Sequence, residues 1–243
     1  MKAICASVEA SNYSVVATAR TYQVPATTPY FHDFSNAEEN AQWTLENGPC
    51  TNKWYIGQPT SYNDEVLFVS NNGTTANYSI NASSSVWAYR DVQFGTQAAE
   101  FELSFNWMAM GEQGYDRLEV YAGDRLNVSA GTSYPSTTVA NLQLLGSSLC
   151  HQNSWQHFSA TMNDTYAGQT KRIYFLWTND GGVGENPPAV IDSISIIEIN
   201  CANPHDVVVS NITTTSATVT FAAAATATAW QYVLSTTPIS PEE

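Results

Sequence analysis

From residue 66 onward the chain reads as one short strand after another, and no helical period establishes itself. VLFVS (66–70), VWAYRDVQF (86–94), AEFELSFNWMAM (99–110), RLEVYAG (117–123), VANLQLLG (139–146), WQHFSATM (155–162), RIYFLWTN (172–179) and AVIDSISIIEI (189–199) are rich in β-branched and aromatic residues. Turn-forming pieces such as SNNGTTANYS, GEQGYD and NDGGVGENPP separate them. In AEFELSFNW the period of two is explicit: Phe101, Leu103, Phe105 and Trp107 point one way, and Glu102, Ser104 and Asn106 the other. Only SNAEENAQWTLEN (35–47) tolerates a short helix. Strands of this length with turns between them predict an all-β fold, a two-sheet β-sandwich of jelly-roll type.

Both flanks read as pieces of further small β-domains. MKAICASVEASNYSVVATART (1–21) has the strand content of a closing half, and CANPHDVVVSNITTTSATVTF (201–221) with AWQYVLSTTP (229–238) that of an opening half. The expected organisation is therefore residues 1–24, a complete block over 25–200, and 201–243, cut from a tandem array, with boundaries at Pro25–Pro29 and Asn203-Pro204. Unpaired edges such as TSATVTF (215–221) are expected to pair with a neighbouring chain or to fray.

Charge narrows the partners. Eight basic against 22 acidic residues give −14, which opposes nucleic acid and anionic membranes. It suits calcium or neutral polar ligands such as glycans, and it also serves simply to keep the chain soluble. No run of 18 apolar residues exists, so membrane insertion is not expected. Cys5, Cys50, Cys150 and Cys201 show no zinc spacing; Cys50 and Cys150 can pair within the central block, or all four can be buried thiols.

PYFHDFS (29–35), NKWYIG (52–57), LFVSNNG (67–73), VWAYRDVQF, FELSFNW, GYDRLEVYAG (114–123) and YFLWTNDGGVGENPPAVIDSISI (174–196) together resemble the MAM-like, cleaved-adhesin-type jelly-roll modules of Bacteroidetes surface proteins. The flanks resemble fibronectin type III domains. The resemblance implies a non-catalytic, calcium-stabilised adhesion or binding module. It places Asp33 in an opening aromatic-acidic signature and Asp192 in a closing Ile-Asp-x-Ile strand, where first and last strands lie side by side and the two carboxylates can share calcium. Ser35 departs from the Glu common there. The alternative is that Asp33 and Asp192 cap turns.

Other candidates come from the residues themselves. Asp116 opens a strand after GEQG and either meets a ligand or metal or caps its turn. Asn179 and Asp180 head a polar, Gly-rich loop of the kind that carries binding at a sandwich end. Trp54 and Tyr55 are the aromatics most open to stacking on a sugar, whereas Trp107 and Trp177 read as core. No catalytic residues are assigned: HExxH, G-x-S-x-G and P-loop patterns are missing, and Glu38-Glu39 is not an opposed carboxylate pair. The expectation is a secreted or cell-surface binding module for a glycan or glycoprotein, working beside neighbouring modules of its parent chain. The alternatives are an ancillary domain of a secreted peptidase or glycoside hydrolase, or a structural spacer.

Overall fold

The computed structural model describes residues 21–98, 100–201, 204–223, 227–233, 235 and 237. In chain order its strands are β1 (Ala26–Thr27), β2 (Tyr30–His32), β3 (Thr44–Glu46), β4 (Lys53–Gly57), β5 (Val66–Ser70), β6 (Ser84–Gln93), β7 (Glu100–Ala109), β8 (Arg117–Gly123), β9 (Gln143–Leu149), β10 (Gln152–Asn163), β11 (Thr170–Asn179), β12 (Val190–Ile199), β13 (His205–Ser210) and β14 (Thr218–Ala222). The helix tolerated by the sequence is one turn, α1 (Ala37–Asn40). The Asn36 side chain starts it by accepting from the amides of Glu38 and Glu39.

Two sheets face one another. The first has the order β1-β6-β11-β8-β9, with β3 also on β6; the second has β10-β7-β12-β5-β4, with β2 also on β12. From β5 to β8, and again from β10 to β12, successive strands alternate between the sheets, so the chain crosses the sandwich repeatedly. This is a jelly-roll β-sandwich. Strand β2 lies antiparallel to β12, with His32 opposite Ile194, so the first and last strands of the second sheet are neighbours.

The alternation in β7 decides what fills the interior. Phe101, Leu103 and Phe105 are wholly buried and Trp107 nearly so, while Glu102, Ser104 and Asn106 are half-buried on the other face. From the opposite sheet Phe175 meets Phe105 edge-on at 5.3 Å, and Trp177 is also wholly buried. Trp54 corrects an expectation. It is 0% exposed, its indole N–H donates to the Val86 carbonyl at 3.0 Å, and it belongs to the core rather than to a sugar-stacking surface. Cys50 and Cys150 are buried free thiols, each directed at a carbonyl (Gly131 and Ser148), so the disulfide pairing is not formed; Cys201 is free and exposed.

Each sheet also buries apolar groups on its outer face. On the first, Trp87, Tyr121, Tyr174 and Leu176 pack under Val128, Val139 and Leu142 from the segment between β8 and β9. The Tyr174 hydroxyl pins that segment by donating to the Asp124 carbonyl and accepting from the Leu126 amide. On the second, Phe68, Val66, Val190 and Met108 form a smaller cluster with Tyr55 and Tyr62.

The C-terminal region forms a separate antiparallel hairpin of β13 and β14. Val208, Val209, Val219 and Phe221 remain 41–55% exposed on it. Residues 1–20, including Cys5 and the expected N-terminal strands, lie outside the described residues.

Candidate functional site

Two loops converge at one end of the sandwich. The chain leaves β7 and turns tightly, with mutual backbone bonds between Glu112 and Asp116. Gly111 sits at φ +58°, and a Cβ there would meet the Asp116 carbonyl, so this turn requires glycine. The second loop, 180–189, is laced to the first: Gly111 and Glu185 exchange backbone hydrogen bonds at 2.9 and 3.2 Å, and the Met110 amide donates to the Pro187 carbonyl at 2.7 Å.

Asp116 ties both loops together. It is 0% exposed, accepts from the Tyr78 hydroxyl at 2.6 Å, and accepts from the Asp180 backbone amide at 3.1 Å. Burial pushes its pKa up, and the charges of Asp180 and Glu112 add to that rise against the two hydrogen bonds. Asn179 is equally internal. Its Oδ1 accepts from Asn52 at 3.0 Å and its Nδ2 donates to the Ala82 carbonyl at 2.8 Å. The structure thus brings Asp116, Asn179 and Asp180 together, but Asp116 and Asn179 hold the loops in place and Asp180 is the one that faces solvent. Glu112, Asp116 and Asp180 each place a carboxylate oxygen within 4.8 Å of the others.

Beside this trio lies a pocket of about 240 Å³ between the ends of β8 and β11. Tyr115 and Tyr134 expose 56% and 40% of their surface at its rim. Arg117 crosses between them, its guanidinium 5.1 Å from the Tyr134 ring centre. Ser85, Gly114, Thr132, Thr178, Asn179 and Asp180 complete the lining.

Glu119, buried at 5% exposure, fixes the pocket wall from behind. Its Oε1 accepts from Arg117 Nε at 2.9 Å, and its Oε2 accepts from the hydroxyls of Tyr121 and Tyr134, each at 2.9 Å. Burial pushes the Tyr134 phenol up, with the Glu119 charge adding to the rise. The outcome is an exposed aromatic face and a cation whose positions are set by one buried carboxylate. Nothing in the sequence marks Glu119, Arg117 and Tyr134 as a set, because Tyr134 comes from the turn-rich piece TSYPS.

The remaining candidates lie elsewhere. Asp33 is exposed and its Oδ1 accepts from both the amide and the hydroxyl of Ser35. Asp192 is half-buried and its Oδ1 accepts from the Ser193 amide at 2.6 Å. Burial pushes the Asp192 carboxyl up, with the charges of Asp33 and Asp64 adding to the effect. These two carboxylates therefore sense each other while each caps its own turn. Tyr55 is half-buried on the outer face of the second sheet, 5.9 Å from Phe68.

No protein-family profile matches the chain, and no curated protein does. Solved structures do resemble it. The CBM22-1 xylan-binding domain of Xyn10C from Paenibacillus barcinonensis is 12% identical with a TM-score of 0.41, over 74% of this chain and 99% of that one. The K1 cleaved adhesin domain of Lys-gingipain from Porphyromonas gingivalis W83 is 11% identical with a TM-score of 0.42, over 70% of this chain and 97% of that one. No helix among the described residues is long and apolar enough to cross a membrane.

Proposed function

We propose that this chain is a non-catalytic, extracellular binding module that takes a neutral glycan, free or on a glycoprotein, in the pocket between Tyr115 and Tyr134. The observation that carries the reading is the Glu119 clamp. A protein spends a buried carboxylate to fix Arg117 and Tyr134 at a solvent-facing rim when those groups have something to meet there, and fixed groups lose little entropy on binding. Exposed aromatic faces suit the C–H faces of sugar rings, and the surrounding hydroxyls suit their O–H groups. The acidic trio, of which Asp180 lines the pocket, and the net charge of −14 disfavour an anionic ligand.

Calcium is part of the same proposal as a structural ion. Asp33, Asp192 and Asp180 each accept from an amide of their own turn, and Asp116 accepts from Tyr78 and the Asp180 amide. What sets Glu112, Asp116 and Asp180 apart is that three carboxylates crowd the joint of the two loops that shape the pocket. A hard divalent cation prefers such an oxygen-rich group, with carbonyls and water completing its shell. The β13–β14 hairpin, apolar on its exposed surface, is proposed to belong to a second module beside the jelly roll of residues 25–200, in keeping with the fibronectin-like flanks.

A glycan array probed with the full chain, with calcium and with chelator, tests the reading. Hits that vanish in Tyr134→Ala and weaken in Arg117→Met are expected. Hits indifferent to both substitutions would reject this pocket as the site.

A further inference from the structure

We infer that a second ligand site, separate from the end pocket, lies across the outer face of the second sheet and holds a neutral carbohydrate chain. Pairing registers align one row of side chains over that face: Tyr55 on β4 opposite Phe68 on β5, Phe68 opposite Val190 on β12, and Val190 opposite Met108 on β7. The row continues onto β10 through an irregularity. Gln152 pairs with Ala109 and Gln156 with Trp107, so Asn153, Ser154 and Trp155 stand opposite the single residue Met108. Such a bulge leaves residues outside the ladder and re-aims side chains, and bulges gather next to functional sites.

The bulge puts Trp155 and Asn153 on either side of Met108. Trp155 is 42% exposed, far above the other strand tryptophans, and meets Tyr62 edge-on at 6.3 Å and 84°. Tyr62 is itself fixed by its hydroxyl, 3.2 Å from the Met108 sulfur. Two depressions flank this Tyr62–Met108 saddle. One, of about 370 Å³, is walled by Trp155 with Asn63, Asp64 and Asp192. The other, of about 390 Å³, is lined by Asn77, Asn153, Asn186 and Thr75. They share Ser61, Tyr62 and Met108 and so form one groove.

The chemistry selects the occupant. The groove lies on a sheet face whose floor strands are paired, and only the short bulge of the edge strand β10 has backbone groups outside the ladder, too few for a peptide to add as a strand. What it offers is aromatic surface and side-chain amides and hydroxyls, the complement of a ring with apolar faces and hydroxyl edges. No Lys or Arg lines either depression, and Asp64 and Asp192 repel anions, so the chain it fits is uncharged. A groove open along its length suits an internal stretch of polymer.

Cellohexaose, xylohexaose, mannohexaose and the anionic trigalacturonate are the probes, titrated into the full chain while the Trp155 indole resonance is followed by NMR. At least one neutral hexasaccharide is expected to shift that resonance. Trp155→Ala should weaken its binding about tenfold or more, equivalent to about 1.4 kcal/mol, while Tyr134→Ala leaves it unchanged. Trp155 is a surface residue, and an unchanged unfolding temperature in Trp155→Ala verifies the fold. Binding lost in Tyr134→Ala but kept in Trp155→Ala would overturn the groove and leave the end pocket standing. A Trp155 signal moved only by trigalacturonate, only by protein concentration, or by none of the probes would also overturn it.

Discussion

The Tyr134 hydroxyl donates to Glu119 Oε2 at 2.9 Å, which fastens an exposed ring to a carboxylate inside the protein. The same carboxylate holds Arg117 through its other oxygen. Glu119→Gln keeps the shape and removes the charge, so Arg117 loses its ion pair and the Tyr134 ring keeps only a weaker, neutral hydrogen bond. Calorimetry with whichever glycan the array identifies should show an affinity loss of about tenfold. Chemical denaturation should show about 1.5–3 kcal/mol of lost stability, the usual worth of hydrogen bonds to a charged group. Unchanged affinity would mean that the clamp does not serve the pocket.

Asp91 and Arg172, directly opposed on β6 and β11, make a two-pronged ion pair with both side chains buried. Arg172 also donates to the Leu126 carbonyl and stacks 3.9 Å from the Tyr89 ring centre. Asp91→Asn leaves the guanidinium buried without its counter-charge. It should cost about 3–5 kcal/mol in denaturant unfolding, whereas the double change Asp91→Leu with Arg172→Met should recover most of that. A double variant no better than the single one would show that the Leu126 and Tyr89 contacts, rather than the charge pair, carry the stability.

Gly184 is where the second loop touches the first. A Cβ there would collide with the Tyr78 hydroxyl and with Asp116 Oδ2. Gly184→Ala should therefore break the Tyr78–Asp116 bond and destabilise by about 1–3 kcal/mol, as overpacking does. Gly114, whose Cβ would meet nothing, has φ +84°, so Gly114→Ala reports backbone strain alone. Gly184 has no left-handed φ, so its loss measures collision; a Gly184→Ala chain as stable as the native one in thermal unfolding would show that the Tyr78 hydroxyl and Asp116 move aside without cost.

What was legible in the sequence follows the physics of each residue. Phe101, Leu103, Phe105 and Trp107 alternate with polar residues, and that period alone places them inside. Asp116 and Asp180 were legible because turn chemistry marks loops. Trp54 was misread: NKWYIG is short, without clear alternation, and it becomes strand β4 only because β5 pairs with it. Glu119 was invisible for a related reason. In RLEVYAG it sits on the outward phase of β8, which ought to be wet, but the segment carrying Tyr134 folds back over that face and buries it. Trp155 could not be distinguished from the other strand tryptophans because a bulge, which the local sequence does not announce, decides where it points.

The acidic trio yields a prediction that separates electrostatics from metal. With chelator present, Glu112→Gln removes one of three crowded carboxylates and should raise the unfolding temperature slightly, worth at most about 1 kcal/mol because Glu112 is only half-buried and Asp180 is exposed. Calcium should stabilise the native chain by binding the folded state, and should stabilise Glu112→Gln much less. Calcium stabilisation that survives Glu112→Gln but is lost in Asp33→Asn would return the ion to the β2–β12 junction.

His32 sets the response to acid. Its ring is 3% exposed, lies edge-on to Phe34 at 4.7 Å, and has Nε2 2.8 Å from Asn40 Oδ1. Burial pulls its pKa below the ordinary 6.5, and Arg90 adds to the depression, against the Asn40 bond and the charges of Glu39 and Asp33. A histidine kept neutral by the fold gives the unfolded chain more protons as pH falls. Its contribution is whole above about 6.5 and declines below that until the folded ring also protonates. Asp116 and Asp192 act in the opposite sense, because raised carboxyl pKa values make protonation easier in the folded state and lessen their destabilisation as pH drops. The histidine effect is isolated by difference: denaturant titrations at pH 7 and pH 5 should show a larger loss for the native chain than for His32→Asn. Equal losses in the two proteins would mean that the ring binds its proton no differently folded and unfolded, and a smaller loss in the native chain would mean that Glu39 holds the proton more strongly than burial opposes it.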